Sequence, residues 1–327
     1  MNPNKPIASL SLDLDNKWSY MKTHGDTGWQ SFPSYLDILV PRVLQILADR
    51  SLRITFFVVG QDAALAKNHE ALRAIARAGH ELGNHSFTHE PWLHLFTKDR
   101  IEQEFVQTEE AIETVTHCRP IGFRGPGFSF SDDVLRVLIE RGYLYDASSL
   151  PTWIGPIARA YYFMTSTFEQ DESEKRKALF GSVKDCFAPL KQHQIRCGSS
   201  QLVEIPVTTM PLVRIPIHAS YVLYLATFSS SSALSYFHVA LKLCRLTGVQ
   251  PSLLLHPLDF LGCDDISDLD FFPAMHLPSQ QKLSLMSKIL DSYSSQFRVV
   301  TMKEHADCVE HVGAPLVANS QQPRDLL

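Results

Sequence analysis

No two of the six cysteines form a CxxC pair; Cys118, Cys186, Cys197, Cys244, Cys263 and Cys308 are scattered along 327 residues. That scatter argues against a disulfide framework and fits reduced, mostly buried thiols in a cytoplasmic protein. Long apolar runs are missing as well. No stretch of about eighteen uncharged apolar residues occurs, so a simple spanning helix is not expected. The opening residues MNPNKPIASLSLDLD lack a charged segment followed by a long apolar run, so no secretion signal is expected either. Basic excess is absent too: a net charge of −5 and a pI near 6.3 leave no electrostatic case for nucleic acid as a partner. There is no internal repeat, and the one biased tract is the short FSSSSALSY at 228–236. What is present is a globular composition, 45% hydrophobic and 20% charged, enough for one large α/β domain or two ordinary ones.

Strand and helix patterns alternate along the chain. IASLSLDLD (7–15) alternates with period two, which predicts a strand with Asp13 and Asp15 on one face. A helix over 35–50 leads to the apolar strand RITFFVVG (53–60), and a second helix, about 61–78, ends at Gly79. ELGNH, IGF and YLYDA read as further strands, separated by helices over about 97–116 and from Ser131 to Arg141. LVEIPV (202–207), SLLLH (252–256) and FRVVTM (297–302) are strands in the second half, with helices near 232–247 and 279–294. Such alternation predicts a parallel sheet covered by helices, open or closed into a barrel. The domain is expected to run over 1–312, with an insertion at about 150–201 and a disordered tail over 313–327. Inside the insertion, STFEQDESEKRKALFG (166–181) is acidic first and basic later, the order that complements a helix dipole.

Chemistry in α/β sheets collects at the carboxyl ends of the strands, and Asp13/Asp15, His85/His89, Asp146 and His256 all fall at such ends. In HELGNHSFTHEPW (80–92), His85 and His89 are four residues apart, a spacing that puts both rings on one side of a helical turn. Two strand-borne carboxylates one residue apart can divide two tasks, one binding a metal and the other taking a proton. Joined to the two histidines they make a two-His, one-carboxylate site with positions open for water and substrate, which suits zinc, iron or cobalt.

In this order the motifs resemble the polysaccharide deacetylase family, carbohydrate esterase family 4. SLDLDN is similar to its first motif in the split D-x-D form. HSFTH is similar to its H-[ST]-x-x-H metal motif, FRGPGFS to its R-x-P motif, YDASS to its fourth and LLLHP to its last. The resemblance runs from about residue 7 to 303 and implies a distorted, incomplete (β/α) barrel. It also implies one divalent ion, zinc first, with cobalt, iron, manganese or nickel as alternatives, held by Asp15, His85 and His89. Asp13 is then the general base, with Arg124 holding its carboxylate. The Gly127 backbone N–H faces the oxyanion, and His256 is the general acid, oriented by Asp146.

The function this implies is removal of an N-acyl group, acetyl or formyl, from an amino sugar of a glycan or lipid-linked precursor. Hydrolysis of a non-sugar linear or cyclic amide and turnover-free glycan binding are the alternatives. An intact Asp13, Arg124, Asp146 and His256 argue against the last of these. Asp259 reads equally as support for His256 or as a loop cap. The loop NKWSYMKTHGDTGW offers Trp18 and Tyr20 for sugar stacking, or for packing on their own domain. The apolar stretch 202–228 is either core or a lip for peripheral contact at the inner face of the membrane.

Overall fold

The computed structural model describes residues 5–154, 187–197 and 200–309. The expected helix over 166–181, most of the expected insertion, Cys186 and the tail 313–327 lie outside these residues.

Alternation decides how the first strand is used. In β1 (Ile7–Asp13), Ala8, Leu10 and Leu12 join the large apolar cluster against the helices, while Ser9, Ser11 and Asp13 face the other way. Both faces are buried, so the polar side needs partners. Ser9 Oγ is 2.8 Å from His305 Nδ1, and Ser11 and Asp13 both receive Arg124. β2 (Thr55–Val58) lies beside β1 and repeats the pattern, with Phe56 and Val58 outward and Phe57 inward.

The remaining strands are β3 (Glu81–Asn84), β4 (Gly122–Phe123), β5 (Tyr145–Asp146), β6 (His193–Cys197), β7 (Ser200–Glu204), β8 (Ser252–Leu255) and β9 (Arg298–Val300). They form one sheet in the order β6-β7-β5-β4-β3-β2-β1-β8, with β9 against the start of β1. Pairing is parallel throughout, apart from antiparallel β6 and β7. The sheet curls into an incomplete barrel. β6 falls within the stretch expected to be an insertion, so part of that stretch extends the sheet.

The ten helices of the described residues are α1 (Lys17–His24), α2 (Leu36–Ala48), α3 (Gly60–Ala63), α4 (His69–Arg77), α5 (Lys98–Thr116), α6 (Asp132–Glu140), α7 (Ala219–Ala226), α8 (Ser230–Thr247), α9 (Ser279–Gln296) and α10 (Met302–Asp307). α10 closes the amino-terminal end of the half-barrel. Met302 and Ala306 pack on Phe57, Tyr145 and Ile205, and the amides of Met302 and Lys303 bond Thr55 and Glu81 where β2 and β3 begin. The carboxyl end is left for chemistry.

Three local expectations change. The helix read over 61–78 is broken at Leu65 into α3, a 3-10 turn (Ala66–Asn68) and α4, because Asn68 turns back to bond the backbone and side chain of Asp62. The aromatic loop after β1 contains α1, capped by Asn16 and stopped by Gly25 at φ 91°. Its buried side is the consecutive run Trp18, Ser19 and Tyr20 instead of a stripe at helical spacing, so it leaves no periodic signal. Trp18 is 1% and Tyr20 6% exposed, which removes both from sugar stacking and places them in the protein's own packing.

The stretch 202–228 divides between the two readings. Ile205, Val207, Ile217, Val222 and Leu223 are core, while Leu212, Val213, Tyr224 and Phe228 are exposed. Among the described residues, no helix is long and apolar enough to cross a membrane.

Candidate active site

His85 and His89 sit on an irregular turn after β3, not on a helix. Ser86 and His89 adopt left-handed backbone angles, φ 59° and 53°, each costing of order 1–2 kcal/mol for a residue with a side chain. The turn is held all the same. Buried Glu104 on α5 accepts the backbone N–H of Phe87 and of Thr88 at 2.8 Å and the Thr88 hydroxyl at 2.7 Å. Gly60 and Gln61 donate their N–H groups to the carbonyls of Ser86 and Phe87. Hydrogen bonds to a charged group contribute roughly 1.5–3 kcal/mol each, so the clamp outweighs the strain. Gly60 is required here, since a Cβ would come within 2.6 Å of Phe87 and Thr108.

The two imidazoles converge on the carboxylate that follows β1. Asp15 Oδ1 lies 3.3 Å from His85 Nε2 and 3.0 Å from His89 Nε2, and ligand atoms from all three residues lie within 4.8 Å of one another. Among the described residues Asp15 Oδ1 is buried without a partner in hydrogen-bond geometry, so the three groups point at a common place without satisfying each other. A divalent cation fits that donor set. His85 Nδ1 is 2.6 Å from the Arg124 carbonyl, which fixes the proton there and leaves Nε2 with its lone pair toward Asp15. His89 Nδ1 is buried without such a partner among the described residues. Burial works against ionisation of Asp15, but the two histidines in their protonated form, His89 most, outweigh it and hold the carboxyl below its usual range.

Asp13 ends β1 and faces a different partner. Arg124, fully buried behind β4, places Nη1 2.7 Å from Asp13 Oδ1 and 2.8 Å from Ser11 Oγ; its Nε donates to the Ala147 carbonyl at 2.9 Å. The guanidinium also covers the Phe57 ring, 4.5 Å from its centroid. Gly127 lies on the turn Pro126–Phe128 at φ 58°, with Pro91 3.0 Å from where a Cβ would stand. Leu12 pairs with Leu255, so Asp13 and His256 leave neighbouring strands side by side.

The expected partner of His256 is corrected. Asp146 turns away from it, bonding Ser148 Oγ at 2.6 Å. His256 Nδ1 meets Ser220 Oγ at 3.0 Å, and Ser220 in turn donates to Asp259 Oδ1 at 2.7 Å. Asp259 has both of the roles considered for it, because its Oδ2 also accepts the His256 backbone N–H at 2.7 Å. His218 stands beside this group, its ring 6.2 Å from that of His256; burial, with the His256 charge, lowers its pKa to about 3.

Asp146 has a neighbour that sequence patterning does not reveal. Parallel β5 and β7 set Asp146 opposite Glu204, and Asp146 Oδ2 and Glu204 Oε2 are both buried with no hydrogen-bond donor among the described residues. Two carboxyls so placed share a proton. Burial raises Asp146 to about 6, and burial together with the Asp146 charge raises Glu204 well above its usual range. Between an ordinary carboxylate value near 4 and about 6, the folded state therefore holds more protons than the unfolded chain. The pair's stabilisation is full below that window and is lost as pH rises through it, an effect of up to about 3 kcal/mol. Glu204→Gln replaces the shared proton with an amide donor. Its Tm relative to wild type should rise by up to about 5 °C between pH 4 and pH 7; melting curves that stay parallel across that range would show that no proton is shared.

A further buried group supports the metal-side turn. Asp62 Oδ1 accepts from Asn16 at 2.7 Å, Trp18 Nε1 at 3.0 Å and Asn68 at 3.0 Å, tying α1, α3 and the residue after Asp15 together. Burial dominates over the Asn16 and Trp18 bonds and raises Asp62 to about 7. Glu104, Asp62, Glu204 and Ser220 thus belong to the site region without any motif to mark them.

The polysaccharide deacetylase family model matches residues 25–145, a span that includes His85, His89, Arg124 and Gly127. A peptidoglycan deacetylase of Helicobacter pylori (strain 26695) is 28% identical over 170 residues, 52% of this chain and 53% of its own length. The chain spans about half, or less, of the length of the curated relatives it matches. In fold, a Mycobacterium smegmatis protein assigned as a polysaccharide deacetylase superposes with a TM-score of 0.58 at 19% identity, covering 94% of this chain and 91% of that one. PuuE allantoinase superposes with a TM-score of 0.59 at 15% identity, with the same coverage. At such identities the two structures speak for the fold alone. The chain resembles the polysaccharide deacetylase family, in sequence over residues 25–145 and in fold along most of its length.

Proposed function

We propose that the protein is a metal-dependent hydrolase that removes the N-acyl group, acetyl or formyl, from an amino sugar. The observation that carries this reading is the convergence of Asp15, His85 and His89 beside a carboxylate, Asp13, that is held by Arg124 and is not part of the converging set. Asp15, His85 and His89 would hold the ion, with zinc proposed and cobalt, iron, manganese or nickel also suited to the donors. When bound, it supplies positive charge that acidifies water and polarises an acyl carbonyl.

The chain's own groups do the rest. Asp13, kept in place by Arg124, takes the proton from the attacking water. The Gly127 N–H, on its left-handed turn, faces the negative charge developing on the carbonyl oxygen, where each preorganised donor contributes roughly 3–4 kcal/mol. His256 gives a proton to the departing amine, which would otherwise leave as a strongly basic anion. A turnover-free glycan-binding protein has no use for a buried Arg124–Asp13 pair, whose desolvation is a cost to folding.

The finer proposal places the reaction in the cytoplasm, on a glycan precursor or a lipid-linked sugar; exposed Leu212, Tyr224 and Phe228 support contact with a membrane face. A substrate panel tests the whole reading. Soluble N-acetyl and N-formyl amino sugars, lipid-linked forms in vesicles, and cyclic amides and ureides are each supplied to the zinc-loaded protein. Release of acetate or formate from an amino sugar is expected. Ring opening of a cyclic amide with no sugar turnover would replace this reading with that of a cyclic-amide hydrolase.

A further inference from the structure

We infer that Ser220 and Asp259 are positioning residues that fix the proton of His256 through a hydroxyl relay; the inference rests on the role proposed for His256. A serine hydroxyl has one proton to give. Ser220 Oγ lies 2.7 Å from Asp259 Oδ1, while Asp259 Oδ2 is occupied 2.7 Å away by the His256 backbone N–H, so both carboxylate oxygens act as acceptors. The Ser220 proton therefore points to Asp259. Its lone pair is left for His256 Nδ1, 3.0 Å away, which then carries hydrogen; the Asp259 N–H, which also approaches this side chain, goes to the His256 carbonyl at 3.1 Å. Nε2 is then the nitrogen that exchanges a proton with the leaving amine, and the ring needs no tautomer change before or after the transfer.

Other elements hold the relay from behind. Lys282 on α9 is buried, donates to the Leu258 carbonyl at 2.8 Å and presents its charge toward Asp259. Beside His256 itself stand His218, just before α7, with its ring 6.2 Å away, and Asp13, at the end of the strand next to β8. None of these carboxylates bonds Nδ1 directly. The interposed hydroxyl orients the ring without setting a carboxylate oxygen directly against it. Ser220 lies within the first turn of α7 and Asp259 three residues after His256, so the relay joins two separate elements across one ring.

The test separates amide from ester. An amide needs its leaving amine protonated, whereas 4-nitrophenyl acetate has a leaving group that departs unaided. Ser220→Ala should slow the best amide of the panel about 10-fold or more and Asp259→Asn about 100-fold, both leaving ester turnover within about 3-fold. Ser220→Thr, which keeps the hydroxyl, should restore amide turnover to within about 3-fold of wild type. Nitrogen NMR adds a readout independent of turnover. Neutral His256 should carry its proton on Nδ1 in the wild type and on Nε2 in Asp259→Asn, because the asparagine amide reverses the sense of the chain. Equal losses on amide and ester, or one tautomer in both proteins, overturn the relay. If Asp259→Asn does not fold, the Ser220 pair still decides. His256→Ala serves as the control. If it slows both substrates equally, the acid role of His256 fails; if it is amide-selective while Ser220→Ala is not, the relay alone fails.

Discussion

His85→Ala is expected to lose the metal and the activity together. The wild-type protein, loaded and dialysed, should show about one equivalent of divalent ion by elemental analysis, and the variant less than about a tenth. The reason is geometric. His85 is the one ligand whose second nitrogen is bonded, at 2.6 Å to the Arg124 carbonyl, so its ring is oriented before any ion arrives. Removing it leaves Asp15 and His89, and a site with two protein donors does not retain zinc against dialysis. Turnover should drop by about 10³-fold or more, since the charge that acidifies water is gone. Stoichiometric metal in His85→Ala would sink the ligand assignment, whatever happened to turnover.

Asp13→Asn should behave in the opposite way. Metal content should stay near one equivalent while turnover falls by roughly 10²-fold or more, because the residue is assigned to proton transfer. Asn keeps an oxygen facing Arg124 Nη1, 2.7 Å from the present carboxylate oxygen, but it cannot balance the guanidinium charge. Loss of one partner of a buried ion pair costs about 3–5 kcal/mol at most, and the retained hydrogen bond should bring the loss well below that. A modest fall in Tm is therefore expected alongside full metal occupancy. If Asn at position 13 releases the metal, Asp13 and Asp15 exchange roles.

How much of this was legible in the sequence follows from what each residue depends on. The strand positions of Asp13, Asp146 and His256, and the incomplete barrel of parallel strands, could be read because strand alternation and terminal turns are local properties. The pairing of His85 with His89 was legible for the same reason, although the turn that carries them is not helical. Alternation places Asp15 within the strand, whereas it falls two residues after the end of β1, its carbonyl held by the Tyr35 hydroxyl. The Asp146–Glu204 pair depends on β5 and β7 lying side by side across a long break in the chain, and residue spacing carries no trace of that. His256 was assigned the wrong supporting carboxylate because Ser220 reaches it from α7, a helix hidden in a stretch where Pro206, Pro211 and Pro216 dominate the pattern. Asp62 and Glu104 have helical surroundings with nothing in their spacing to separate them from surface acids.

The way Glu104 grips the histidine turn bears on anyone who would transplant this motif. HSFTH is not a portable cassette. Copied alone into another scaffold, the five residues would bring their left-handed backbone angles without the carboxylate that compensates for them, and His85 without the carbonyl that sets its tautomer. The smallest transferable unit is a three-dimensional one: the turn, the start of α3 at Gly60 and Gln61, the segment of α5 around Glu104, and the main chain at Arg124. A designer would have to fix the docking of two helices and two strands before placing a single ligand.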